Sequence, residues 1–156
     1  MPMLRTTLAA GAIALATAGL ALASGSDKPA DPTDPISLRQ HLMANLGKAT
    51  GIGGRMLKGE IDYNPQAARA VLLTMSSVAL GIGRMFPEGS TSPDSEARDT
   101  IWTDRAGFRA AVAKFIADTE AAAAQPMGSI DEFRAQFGAV TANCKACHEA
   151  YRIKKN

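Results

Sequence analysis

Near the end of this 156-residue chain two cysteines stand three positions apart and are followed at once by a histidine: Cys144-Lys145-Ala146-Cys147-His148. On a helix, side chains at that spacing lie on one face about one turn apart. C-x-x-C-H is the attachment signature of a c-type haem. Each thiol can form a thioether with one vinyl group, and the imidazole after the second thiol can reach the iron. A bulky macrocycle fixed at this point must be housed by whatever packs against the segment, so the motif limits the fold as much as the chemistry.

Other readings of the motif lack partners. A structural zinc site needs four ligands, and the chain has only these two cysteines and one further histidine, His41. A thioredoxin-like dithiol belongs to a βαβ context, whereas the flanks here read as helix. A disulfide within C-x-x-C closes almost no loop and adds little stability.

The N-terminus points the same way. Residues 1–5 are short and basic, residues 8–22 are apolar and rich in Ala and Leu, and Ala21-Leu22-Ala23 offers a small-x-small cleavage site. This reads as a signal peptide over residues 1–23. The apolar run is shorter than the ~20 residues of a membrane span, so no stable insertion is expected once it is removed. Exported thiols normally pair as disulfides; haem attachment gives these two another fate, and a bacterial periplasm is the economical location. Residues 24–34 are polar and Pro-rich and read as a flexible leader, leaving one domain over 35–156. The formal net charge is +2 and no basic block is present, so nucleic acid is not expected as a partner.

Four helical stretches are predicted. The first opens at Asp34-Pro35, an N-cap followed by proline at the first helical position, and runs to about residue 58. The second opens alike at Asn64-Pro65, carries Ala68, Val71, Leu72, Met75, Ala79, Ile82 and Phe86 at the helical period, and stops at Pro87. A polar loop follows to about residue 100. The third starts near Thr103, buries Phe108, Val112, Phe115 and Ile116, and ends before Pro126. The fourth begins with the capping box Ser129-Ile130-Asp131-Glu132. Gly47, Gly51, Gly53 and Gly54 weaken the first helix by about 1 kcal/mol each relative to Ala; close approach to the haem or a neighbouring helix would account for them, as would a kink.

On the fourth helix Ile130, Phe133, Phe137, Val140, Cys144, Cys147, His148 and Tyr151 share one stripe. The haem is therefore expected inside the helix assembly rather than on its surface. Short connections make neighbouring helices antiparallel, so the fold class is all-α, an up-down-up-down four-helix bundle.

The ending Cys144-Lys145-Ala146-Cys147-His148-Glu149-Ala150-Tyr151-Arg152, the Lys58-Gly59-Glu60 turn followed by Tyr63, and the Ile101-Trp102 pair resemble the cytochrome c′ family, the class II c-type cytochromes. The likeness spans nearly all of the chain after the signal peptide. Cytochrome c′ is itself a standard instance of the up-down-up-down bundle, so the resemblance implies that topology along with one covalent haem c and His148 as proximal iron ligand. Met43 stands fifteen residues before Lys58, which matches the family's distal position. Members with a methionine there are low-spin electron carriers; members with a vacant or apolar-blocked site are high-spin and bind small gases. By residue type alone Met43 reads more readily as core filling; it is the register against the family motif that favours ligation. Met56 and Met75 have core spacing, and His41, two residues from Met43, falls near the opposite face and reads as an exposed histidine.

Arg39, one turn before Met43, is placed to reach a haem propionate, a role the resemblance supports, with a solvated surface arginine as the alternative. Arg152, one turn after His148, is expected beside the imidazole or a propionate, or, with Lys154 and Lys155, simply at the helix C-terminal dipole. The expected function is single-electron transfer with unidentified redox partner proteins; the alternative is binding of a gas such as nitric oxide. A haem enzyme would need a distal His/Arg pair, and none is evident, so no catalytic residues are assigned. The resemblance also implies a homodimer through the first two helices.

Overall fold

The computed structural model describes residues 30–153; the stretch read as a signal peptide, residues 24–29 of the segment read as a leader, and Lys154 and Lys155 lie outside them. Five helices follow in order: α1 Pro35–Leu57, α2 Pro65–Ile82, α3 Thr100–Thr103, α4 Arg105–Ala123 and α5 Ile130–Tyr151, with a 3-10 turn Gly83–Met85 after α2. The four long helices are those expected. Their starts are fixed by side chains that accept from exposed backbone donors. Asp34 accepts from the amides of Ile36 and Ser37, Asn64 from Ala67, and Ser129 and Glu132 form the reciprocal capping box. Residues 31–34, at the end of the segment read as a flexible leader, form a turn: Asp31 Oδ1 accepts from the amide and hydroxyl of Thr33.

The helices form a four-helix bundle in which α1 packs on α2, α2 on α4, α4 on α5, and α5 returns to α1, most loosely on that last side. The core is made by Met56, Ala68, Leu72, Met75, Ala79, Ile101, Phe133 and Val140, all essentially inaccessible. Met56 and Met75 are thus core, as their spacing suggested. With its 3-10 turn, α2 is long and apolar enough to cross a membrane, but Ala68, Leu72, Met75 and Ala79 are turned into the bundle, as in the core helix of a soluble fold.

Three local outcomes differ from the expectation. The third helix is broken: Asp104 leaves the helical region between α3 and α4 and caps α4 by accepting from the Gly107 amide at 3.0 Å. A β-carbon at Gly107 would lie 2.1 Å from Asp104 Oδ2, so a larger residue there would push the capping carboxylate aside. Val112 and Ile116 are half-buried rather than core. Gly47, Gly51 and Gly54 have open space around them, whereas a β-carbon at Gly53 would lie 2.5 Å from Phe137 Cε2. One glycine of the four therefore carries the close approach, to the α5 helix.

Candidate haem site

The N-terminus of α1, the C-terminus of α2, the N-terminus of α4 and the C-terminus of α5 lie at one end of the bundle, where loop 86–99 wraps them. Two features hold that loop. Arg39 is buried at 4% exposure. Its Nη1 donates to Met85 O and Ser90 Oγ at 3.1 and 3.0 Å, and its Nη2 to Ser90 O and Ser95 Oγ, both at 2.7 Å. Its guanidinium also stands 4.9 Å over the Phe86 ring. Arg39 is therefore not a solvated arginine: four of its donors are committed to the loop, and any propionate would compete with them. Second, the end of α5 is tied in by an antiparallel bridge between Ala97 and Arg152, with Arg98 N donating to Tyr151 O at 3.0 Å and Ile153 N to Glu96 O at 2.8 Å. Neither feature has a local sequence signal, because each joins residues more than 45 positions apart.

On α5 the stripe is buried at Phe133, Phe137 and Val140, half-buried at Cys144, Cys147 and Tyr151, and exposed at His148. The expectation that the whole stripe lies in the core is corrected to that extent. α5 meets α1 at the level of Phe137, and beyond it the stripe runs onto the loosely packed α1–α5 side. Asn143, which the periodicity did not single out, is buried one residue before Cys144. Its Nδ2 donates to Asp118 Oδ2 at 2.7 Å and contacts the Val140 carbonyl at 3.2 Å, tying α5 to α4.

Both thiols are free of disulfide. Burial pushes the Cys144 thiol up in pKa, and burial with the neighbouring Cys144 does the same to Cys147. At His148, desolvation and then the Arg152 charge lower the pKa, against an opposing pull from Glu96. That direction favours the neutral form that binds metals. Arg152 donates from Nε to Glu96 Oε2 at 2.6 Å, so it sits where its charge acts on the histidine while ion-paired to the loop.

Met43 is half-buried against the core. The antiparallel register of α1 and α5 follows from the Gly53–Phe137 contact. Met43 lies ten residues N-terminal of Gly53, about 15 Å along the helix, and His148 lies eleven residues C-terminal of Phe137, about 16 Å in the same direction. The two therefore stand at nearly the same height. His148 and Cys144 lie within about 20° of the Phe137 face, and Met43 within about a quarter turn of the Gly53 face. His41 is half-buried, not exposed, and its Nδ1 lies 2.9 Å from Ser37 O.

The residues present fit a covalent haem: two unbridged thiols one turn apart with an imidazole directly after the second, and a half-buried thioether at about the same height on the neighbouring helix α1. Among the described residues no cluster of three or more His, Cys, Asp or Glu side chains could hold a metal ion on its own; an iron here needs the porphyrin nitrogens.

Comparison with known proteins agrees. The chain is 37% identical over 116 residues to a cytochrome c-556 of Agrobacterium tumefaciens (strain apple 185), covering 74% of this chain and 91% of that protein. It is 32% identical over 136 residues to a cytochrome c′ of Rhodopseudomonas palustris, covering 85% and 90%. The solved structure of cytochrome c′ from Rhodopseudomonas palustris superposes with a TM-score of 0.75 at 32% identity, over 80% of this chain and 99% of that one. The profile of the family described as Cytochrome C′ matches residues 34–152. By that match and these relatives, this chain belongs to the cytochrome c′ family, whose members carry a covalent haem c.

Proposed function

We propose that this chain is a periplasmic single-electron carrier, with the haem held by Cys144 and Cys147, His148 as proximal iron ligand and Met43 as distal ligand. At the coarser level the family comprises c-type cytochromes with electron-carrier or gas-binding roles. The observation that supports the carrier is the Gly53–Phe137 contact between α1 and α5, from which helical rise brings Met43 to about the height of His148 on the facing helix. When bound, the haem iron supplies a one-electron Fe(III)/Fe(II) couple, and a neutral Met/His pair raises its potential relative to an anionic ligand.

The remaining roles belong to the chain. Cys144 and Cys147 anchor, and the surroundings of His148 favour its neutral form. Arg39 holds loop 86–99 against α1 one turn from Met43. Arg152, paired with Glu96, places a positive charge beside the proximal imidazole and is available to a propionate. Met43 fills the position a gas would take. The competing reading has a specific support: cytochrome c′ of Alcaligenes xylosoxidans, 30% identical with a TM-score of 0.69, has been solved as a ferrous variant with bound NO. The test is Met43→Ala in the haem-loaded protein. The carrier reading expects conversion to a high-spin spectrum with new carbon monoxide binding; a variant spectrum indistinguishable from wild type removes Met43 from the iron.

The partner surface is read from α1 and α2. Ile52, Leu73 and Leu80 are exposed at 43, 47 and 57%, and a shallow groove between the helices is lined by Leu42, Leu73, Thr74 and Val78. This face suits a second copy of the chain. Sedimentation should give a dimer for wild type and a monomer for Leu73→Glu with Leu80→Glu; a wild-type monomer at all concentrations rejects it.

A further inference from the structure

Two grooves between helices differ in the charge of their linings. The one between α1 and α2, with Leu42, Leu73, Thr74 and Val78 in its walls, has no charged side chain. The one on the α2–α4 seam, about 270 Å³, is walled by Gly83, Phe108, Val112 and Ile116 and carries two arginines, Arg105 and Arg109. A β-carbon at Gly83 would lie 3.0 Å from Val112 Cγ1, so the chain after α2 comes close against α4 there.

Neither arginine takes part in an ion pair among the described residues. Arg105 is half-buried, and its Nη1 is the only buried side-chain nitrogen or oxygen among those residues with no hydrogen-bond partner. Its Cζ stands 5.6 Å from the Phe108 ring centroid. The ring face attracts the charge but offers no lone pair to the N–H. A guanidinium cannot escape burial by losing a proton, and a buried donor left unpaired is destabilising.

The neighbouring carboxylate is already engaged. Asp104 caps α4 by accepting from the Gly107 amide at 3.0 Å, and its Oδ2 faces the Tyr151 hydroxyl at 3.4 Å. Arg105 opens α4 and Arg109 follows one turn later, at the end where the helix dipole is itself positive, with no acidic residue in the first turn. Positive charge is thus concentrated beside an apolar trough. A turn of the Arg105 guanidinium about its long stem carries its fork into the groove, where an anion satisfies it. A carboxylate matches that fork with two parallel hydrogen bonds, and Phe108, Val112 and Ile116 cover an aliphatic body. The groove is at the small end of ligand sites, so the body is a short chain.

We propose that the α2–α4 groove binds a short-chain aliphatic monocarboxylate, its head paired with Arg105 and Arg109 and its body lying on Phe108, Val112 and Ile116. This seam is on the other side of the bundle from the α1–α5 opening, so the site is independent of the haem reading.

The test is equilibrium dialysis of the haem-loaded protein against radiolabelled octanoate, using wild type, Arg105→Met, Arg109→Gln and the surface control Arg69→Gln. Arg105→Met deletes the unpaired donor and keeps an unbranched side chain, so it is expected to fold, which haem content and circular dichroism check first; exposed Arg109→Gln carries the same comparison if it does not. Wild type should bind one octanoate per chain saturably. Arg105→Met should bind at least about tenfold more weakly, as the loss of a charge-assisted hydrogen bond entails, Arg109→Gln should also be weakened, and Arg69→Gln should match wild type. Acetate, a head without a body, and octanol, a body without a head, should each displace octanoate far less well than unlabelled octanoate does. Equal affinity in Arg69→Gln and both groove variants overturns the proposal. Displacement by octanol as effective as by octanoate also overturns it, since the groove would then read only the apolar body. So does a wild-type protein with no saturable binding.

Discussion

Gly53 of α1 and Phe137 of α5 are in mutual contact that leaves no room for a β-carbon, which would lie 2.5 Å from Phe137 Cε2 and 2.8 Å from Cζ. This contact pins the two helices at one height along an otherwise loosely packed side of the bundle. Everything above it, Met43 on one helix and Cys144, Cys147 and His148 on the other, takes its level from that point.

Gly53→Ala is therefore expected to destabilise the protein by about 1–3 kcal/mol, as overpacking does in a core, although alanine is the better helix former. Gly47→Ala and Gly54→Ala, with open space at their β-positions, are expected to stabilise by about 0.5–1 kcal/mol. Urea unfolding of the three variants checks the contrast. Equal stabilisation at all three positions would mean that residue 53 has room to spare.

Arg39→Gln strips the buried lock from loop 86–99, leaving the Ser90 and Met85 carbonyls without their charged donor. A loss on the order of 3 kcal/mol is expected, from the buried acceptors left unsatisfied. Hydrogen exchange should quicken at the amides of residues 90–98 well before those of α2. Unchanged exchange in that loop would show that the wrap does not depend on Arg39.

Asp118 gives a pH dependence with a definite sign. Its carboxylate is held below the ordinary value of 3.8, first by the hydrogen bond from Asn143, then by the one from Lys114. A carboxyl with a depressed folded-state pKa contributes stability above its unfolded value and loses it as pH falls through the folded one. Wild type should therefore lose stability below about pH 4 more steeply than Asn143→Ala, in which the main cause is gone. Parallel melting curves between pH 5 and pH 2 for the two proteins would contradict this.

Cys144→Ser and Cys147→Ser test the attachment separately. Each is expected to leave a single thioether, visible as a shift of the alkaline pyridine haemochrome toward that of a vinyl-bearing haem, and the double variant should release its haem in acidified organic solvent. Retention of the haem by the double variant would show attachment elsewhere.

Much of this was readable beforehand because it is local. Asp34-Pro35, Asn64-Pro65 and the Ser129/Glu132 box start helices through side chains within three residues of the donors they satisfy, and the period of Ala68, Leu72, Met75 and Ala79 names a buried face. The cysteine spacing carries its chemistry in five residues. What was not readable is long-range or depends on which helix covers which face. Arg39 appears solvated or cofactor-bound until the loop 50 residues later folds over it. The break at Asp104 is a capping choice inside a sequence that otherwise reads as one helix. His148 continues an apolar stripe by spacing, but its exposure depends on where α1 lies. Of four glycines that look alike in sequence, only the partner ring of Phe137 distinguishes Gly53.

The most direct test of the central claim, that Met43 and His148 face one iron across the α1–α5 opening, is the optical spectrum of the haem-loaded wild-type protein, oxidised and reduced, before and after adding carbon monoxide. The account predicts a low-spin spectrum with the red Met–iron charge-transfer band in the oxidised form and a reduced form unmoved by carbon monoxide. A high-spin spectrum that shifts on adding carbon monoxide would contradict it and make this chain a gas-binding member of its family.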